Sequence, residues 1–451
     1  MRLCIAFSTL VLMAGCARGP ALRGGTPDTS AESRSPGDIV PRVDHHQHLL
    51  SPAGAALTSS QVPPEVQLPE ALAGLLRARE QRWNDKTRLA ELYVDDVLVF
   101  SGSNPGWVRG RQAAAAYLSQ HFDGPYRFIP TAARSEGSAG LVVGLMEEAD
   151  GVRTDRFAFF HIGVSRGSDG VWRIASETHL FPGPLVKAPE TARQLIERLD
   201  EAGIRRAVVL SDAYYFDSPG PVPVQDEYDK VRAENDWTAQ QVAQFPDRLI
   251  GFCSFNPLKD HALAELERCA ASHQFQGLKL HFAGAALDFR SPEQVARVRR
   301  VMEAANRHRL PILIHAQPGG AYGREEAGIF LHQLVAAAPD VPVTVAHLWG
   351  GGNYSAEALA AYAEAVSSGD PATRNLSFDV AEVWIGRGSP EERETIVQRM
   401  RQIGLERLLY GSDAGKGTPR AAWEAFRQAL PLTEEEFRTL ANNVAPYLRE
   451  P

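Results

Sequence analysis

Residues 43–50, VDHHQHLL, place three histidines and an aspartate in one strand-like run. Alternate side chains of a strand share a face, so His46 and His48 are set to point at one spot, a spacing that suits two ligands of a single metal ion. His45 then faces the other way and reads as structural. Asp44 reads as a partner that fixes backbone or ring orientation. Further along, apolar runs end in Lys279 and His281 (GLKLHF), His315 (PILIHA), His347 (VTVAHL) and Asp413 (RLLYGSD). Five of the 13 histidines thus stand at the ends of such runs, where scatter would spread them over helices and loops. That clustering predicts a metal site. His261, His273, His308 and His332 fall in helical segments and read as surface residues.

Positioning these groups requires a common scaffold. From about residue 186, short Val/Ile/Leu-rich runs alternate with helical-period segments: IRRAVVLS, LIGFCSFNP, GLKLHF, PILIHA, VTVAHL, LSFDVA and RLLYGSD. Near-continuous apolar strands separated by helices predict a parallel sheet with helices outside. With RVDHHQHL at the front there are eight such strands, the size of a (β/α)8 TIM barrel, whose active site gathers at the C-terminal strand ends. The fold class expected is therefore α/β.

Residues 60–185 break the rhythm. Helical segments lead into a strand, a further helix follows GWVRG, and long strand-like runs joined by Gly/Asp/Ser turns come last. This α+β pattern, with YVDDVLVFSG, VRGRQAAAAYL and GVWRIAS, resembles the SnoaL/NTF2-like family, a cone-shaped antiparallel sheet with helices. The expected organisation is a signal over 1–16, a flexible tether over 17–41, a barrel over 42–55 and 186–451, and an NTF2-like domain over 56–185 inserted after strand 1. An insertion there emerges on the metal's face of the barrel, where it can lid the pocket, narrow substrate choice or pair two subunits. Glu177 and His179 in IASETHLF read as exposed sheet residues, with the cone interior as the alternative.

Asp-x-His-x-His on the first strand, LIHA on the fifth, AHLWGG on the sixth and YGSDA on the eighth resemble the amidohydrolase superfamily, in its amidohydrolase-related (amidohydrolase-2) branch of hydrolases and nonoxidative decarboxylases. The resemblance implies His46, His48, His315 and Asp413 as metal ligands, with His347 as a catalytic or auxiliary ligand residue. Zinc suits nitrogen and carboxylate donors with one open position. A water bound there becomes acidic near neutrality, Asp413 receives or orders its proton, and His347 polarises the substrate oxygen or protonates the leaving group. Lys279, His281, Glu382 and Trp384 are candidate substrate contacts; Asp212, Tyr214, Tyr215 and Lys416 are further candidates for pocket wall. One ion is expected, although a strand-four lysine such as Lys279 is carboxylated in some amidohydrolases to bridge two, and another divalent metal is compatible.

The net charge of -8 with no basic stripe argues against a nucleic-acid partner. MRLCIAFSTLVLMAGC is too short to span a bilayer and resembles a lipoprotein signal, with Cys16 as the lipidated residue. Residues 17–41, rich in Gly, Pro, Ser, Arg and Ala, follow as tether. Of the remaining cysteines, Cys253 and Cys269 read as two buried thiols. The function expected is an envelope-anchored, zinc-dependent hydrolase of a small amide, ester or lactone, held in the periplasm or at the outer membrane. A decarboxylase of the same branch and a noncatalytic ligand-binding lipoprotein are the alternatives. A homodimer through the inserted domain or the barrel is left open.

Overall fold

The computed structural model describes residues 39–60, 63–83, 85–101, 104–121, 126–148, 156–180, 189–219, 224–352, 354–383, 389–413 and 418–448. The signal, Cys16, most of the tether, Trp384 and Lys416 lie outside them. Two compact units emerge. One takes 39–54 and 189–448, and the other takes 55–180.

The chain enters the first unit with β1 (Val43–His48), then builds the second with β2 (Tyr93–Ser101), β3 (Asn104–Arg109), β4 (Tyr126–Glu136), β5 (Ala139–Glu148), β6 (Arg156–Arg166) and β7 (Trp172–Leu180). It returns with β8 (Arg206–Leu210), β9 (Leu249–Ser254), β10 (Gly277–His281), β11 (Ile312–His315), β12 (Val343–Val345), β13 (Leu376–Asp379) and β14 (Leu408–Leu409). β1 and β8–β14 form one parallel sheet in sequence order. The seam between its ends is bridged: His45 N donates to Tyr410 O at 2.8 Å, and Asp413 N donates to His46 O at 2.9 Å. This is the eight-stranded TIM barrel that the apolar runs predict.

Helices coat the barrel because their sequences offer one apolar stripe each. In Pro292–Arg307, Val295, Val298, Met302 and Ala305 recur at three- and four-residue steps and are buried. Ser291 caps its first turn by accepting from Gln294 N, and Pro292 stands where no N–H is needed. The interior is filled by Val43, Val208, Leu210, Ile250, Phe252, Leu313 and Leu409. Cys253 and Cys269 are free and buried, as expected. His273, His308 and His332 are exposed, whereas His261 is half-buried with its Nε2 3.0 Å from Asp217.

The second unit is a six-stranded sheet in the order β3-β2-β7-β6-β5-β4 with the helices Glu70–Gln81, Lys86–Ala90 and Arg111–His121. All its pairings are antiparallel except β2 with β7, which run parallel, so the sheet is mixed rather than wholly antiparallel. The first and last strands of the unit are neighbours, and the intervening elements supply the crossover that parallel pairing needs. Glu177 and His179 are not exposed: both are fully buried. Glu177 receives Arg79 Nη2 at 2.9 Å and the Tyr93 hydroxyl at 2.6 Å, and His179 Nε2 lies 2.9 Å from it. Among the described residues no helix is long and apolar enough to cross a membrane.

Candidate metal centre

The centre is built at the C-terminal ends of the barrel strands. β1 carries His46 and His48, and Asp413 follows β14 across the seam. The carboxylate of Asp413 stands 3.6 Å from His46 Nε2, 3.9 Å from His48 Nε2 and 3.7 Å from His347 Nε2. Two of these rings are hydrogen-bonded through their other nitrogen, and the third lies with it against a carboxylate. His46 Nδ1 pairs with Asp379 Oδ2 at 2.9 Å, His48 Nδ1 lies 2.7 Å from Asp212 Oδ1, and His347 Nδ1 donates to Ala381 O at 3.0 Å. A proton on each Nδ1 leaves a lone pair on each Nε2.

Three lone pairs and a carboxylate facing one another repel unless a cation sits among them. Burial, with the nearby Lys279 charge, drives the His46 pKa well below the ordinary imidazole value, so the ring is neutral and fit to ligate. Burial alone would raise the Asp413 carboxyl, but His46, His48, His347 and Lys279 hold it below the usual carboxylate range. The donor set therefore fits a divalent ion bound by imidazole nitrogen and carboxylate oxygen. The most compact trio is His46, His347 and Asp413, whose ligand atoms all lie within 4.8 Å of one another.

His315 ends β11 and is buried beside these rings. It is the direct cross-strand partner of His281 on β10, which explains why the two rings stack with centroids 4.1 Å apart. It also meets His347 edge-on at 5.2 Å. Tyr214 continues the stack from the other side of His281 at 4.7 Å. His281 Nδ1 accepts from Gly284 N at 2.8 Å, which leaves its proton on Nε2 as a donor. Lys279, two residues before it on the same face, is 1% exposed with Nζ 3.5 Å from His46 Nε2. Burial pulls its pKa down to about 8. Glu382 follows β13, half-buried and with φ of 55°. Tyr215 is the exposed member of its pair, ring centroids 4.4 Å from buried Tyr214.

His45 is structural. Its Nδ1 donates to Tyr410 O at 2.9 Å and its Nε2 accepts from Ala445 N at 3.2 Å, so neither nitrogen faces the centre. Asp44 fixes backbone: it accepts from Ser412 N at 2.9 Å and His46 N at 3.2 Å, lacing β1 to the chain after β14. Burial pushes its carboxyl up to about 6.

Two glycines let the backbone come this close. A side chain at 411 would put its Cβ 2.7 Å from His46 Cβ. At Gly351, where φ is 96°, a Cβ would strike the His315 imidazole at 2.2 Å. The backbone is also unusual at two of these groups and beside them: His347, Leu348, Glu382 and Asp413 all have positive φ. Non-glycine residues in that region cluster where function over-determines the geometry.

Asp379 closes an apolar strand just as the donors do, and nothing in its local sequence marks it as their partner. It is fully buried. Besides holding the His46 ring it accepts from His347 N at 2.9 Å and Ala381 N at 3.1 Å, so one carboxylate orients one ring and fixes the backbone that carries another. Asp379→Ala is expected to weaken metal binding by roughly 10- to 100-fold. A chelator competition titration measures this, and affinity within twofold of the parent would show that the rings are held by other means.

Residues 213–443, just over half of the chain, match the family model described as amidohydrolase. The chain belongs to the amidohydrolase family. It is a metal-dependent enzyme of that superfamily, and the match runs from the segment after β8 to the end of the last long helix. Among solved structures, this amidohydrolase is similar to 5-carboxyvanillate decarboxylase from Sphingomonas paucimobilis, with 19% identity over 55% of this chain and 79% of that one and a TM-score of 0.41. A probable 2-pyrone-4,6-dicarboxylic acid hydrolase from Acinetobacter baumannii is 16% identical over 57% and 87%, with a TM-score of 0.36. An NTF2-like protein of unknown function from Pseudomonas putida is 19% identical over 24% of this amidohydrolase and 83% of its own chain, with a TM-score of 0.22. Curated proteins give no match.

Proposed function

We propose that this amidohydrolase is a zinc-dependent hydrolase of a small carbonyl substrate (amide, ester or lactone), anchored by lipid at Cys16 to the periplasmic or outer-membrane face of a bacterial envelope. The observation that carries the catalytic part is the convergence of three imidazole Nε2 atoms on the Asp413 carboxylate at 3.6–3.9 Å. The ion would be held by His46, His48, His315 and Asp413, with His347 beside them. When bound, it supplies an acidified water and polarises a carbonyl oxygen.

The protein's own residues do the rest. Asp413, ionised and partly reached by solvent, accepts a proton from the attacking water. His347, held through Nδ1 by Ala381 O, keeps its Nε2 3.7 Å from the Asp413 carboxylate, where it takes over the proton Asp413 has accepted and delivers it to the leaving group. His281 offers Nε2–H as a fixed donor to the substrate. The anchor rests on the N-terminal run MRLCIAFSTLVLMAGC and the tether-like composition that follows it.

Decarboxylation is the second reading, since a cation beside the metal would hold a carboxylate and Lys279 is a cation in the centre. Lys279 is engaged with His46 and buried, and no arginine stands at a strand end of the assigned runs, which favours hydrolysis. Purified full-length chain should carry one zinc and release product from at least one member of an ester, lactone and amide panel. Stoichiometric zinc with CO2 release from aromatic acids and no hydrolysis would make it a decarboxylase. A chain that binds no divalent metal would remove the enzymatic reading.

A further inference from the structure

Lys279 stands in the centre as a cation among residues suited to hold another cation. It is buried at the heart of the barrel, 1% exposed, yet among the described residues its ammonium makes no ion pair and one hydrogen bond, to His46 Nε2 at 3.5 Å. Two of the three carboxylates nearby are taken up by histidines, Asp379 by His46 and Asp212 by His48, while Asp413 faces the converging Nε2 atoms at 3.6–3.9 Å. A lysine added only to stabilise the barrel would sit against one of them.

His46 has a single lone pair to give, because its Nδ1 is committed to Asp379. A divalent ion would take that same lone pair. Ammonium and ion are thus rivals for one atom, and like charges a few ångströms apart in a buried setting repel strongly. The charges also limit how many ions fit: three carboxylates are balanced by one ammonium and one divalent ion, and a second ion would leave a buried surplus of positive charge.

Resting on the metal-centre reading above, we propose that Lys279 is a built-in counter-cation that loosens the centre's hold on its ion and restricts it to one. It is a positioning residue for charge, acting through His46. Its task is to keep the carboxylates of the centre from gathering a second ion.

Zinc titration of chelator-stripped full-length chain against a chromophoric competitor, with metal per chain counted by mass spectrometry, tests this. Parent protein should hold one ion. Lys279→Met keeps the length and removes the charge, and it should bind the first ion roughly tenfold or more tightly and take up a second as zinc is raised. Lys279→Gln should do the same, and carries the test if the Met variant misfolds by circular dichroism. Unchanged or weaker affinity with one ion in both variants overturns the proposal while leaving the metal centre intact. Two ions in the parent, with the added mass of a carboxylated lysine, overturn it as well. Absence of any bound ion in the parent overturns the metal-centre reading and this proposal together.

Discussion

Replacing Asp413 with Asn is expected to lower kcat/KM by roughly 10²- to 10⁴-fold, the contribution of a positioned proton acceptor, while the fold is retained. Asn is the informative substitution because Asp413 has φ of 45°, a left-handed conformation that Asn tolerates and Ala resists. The shape of the side chain is kept and the charge is lost. The converging Nε2 atoms of His46, His48 and His347 then face an amide where they had a carboxylate at 3.6–3.9 Å. Steady-state kinetics on whichever substrate the panel yields, with circular dichroism and metal content on the same preparation, read the outcome. Full activity in a folded, metal-loaded variant would remove Asp413 from the mechanism.

The largest effect on stability is expected in the second unit. Burial alone would raise the Glu177 carboxyl, but the Arg79 guanidinium and His179 hold it well below the usual carboxylate range. Glu177→Leu leaves a buried guanidinium without its partner and should cost about 3–5 kcal/mol in urea unfolding. Arg79→Met combined with Glu177→Leu should recover most of that loss, because an apolar pair replaces an ionic one of similar volume. A single variant within 1 kcal/mol of the parent, by the same bookkeeping of buried pairs, would mean that Arg79 finds another acceptor. The sign with pH follows from the depressed carboxyl. Its stabilisation is complete above the unfolded value of about 4.3 and is lost as the pH falls below it.

Much of the barrel is legible because its strands are buried on both faces and so read as continuous apolar runs, each closed by the residue that matters. His46, His48, His347 and Asp413 are visible for that reason. Asp379 carries the same signal, yet a carboxylate that holds ligands looks no different in sequence from one that does not. Which ring nitrogen faces the centre is decided by Asp379, Asp212 and Ala381 O, contacts between residues hundreds of positions apart, and local pattern is silent on them.

Glu177 and His179 show a different failure. Counting alternately from buried Ile174 puts residues 176 and 178 inside and 177 and 179 outside. Both pairings of β7 shift register between Ile174 and Glu177, at Gly163/Val164 on β6 and at Tyr93/Leu98 on β2. One irregularity reverses the faces of everything after it. Spacing alone does not reveal where such a bulge falls.

Histidines 46 and 48 belong to the first stave of the barrel and Asp413 to the last, with His45 and Tyr410 joined across 365 positions of chain. An ion gripped from both sides would act as a rivet through that join. The stave made earliest waits for the one made latest, so closing the ring is a long-range and slow event. Ion binding would then draw the closed ring forward by mass action, and the metal would be a fastener of the architecture as well as its reagent.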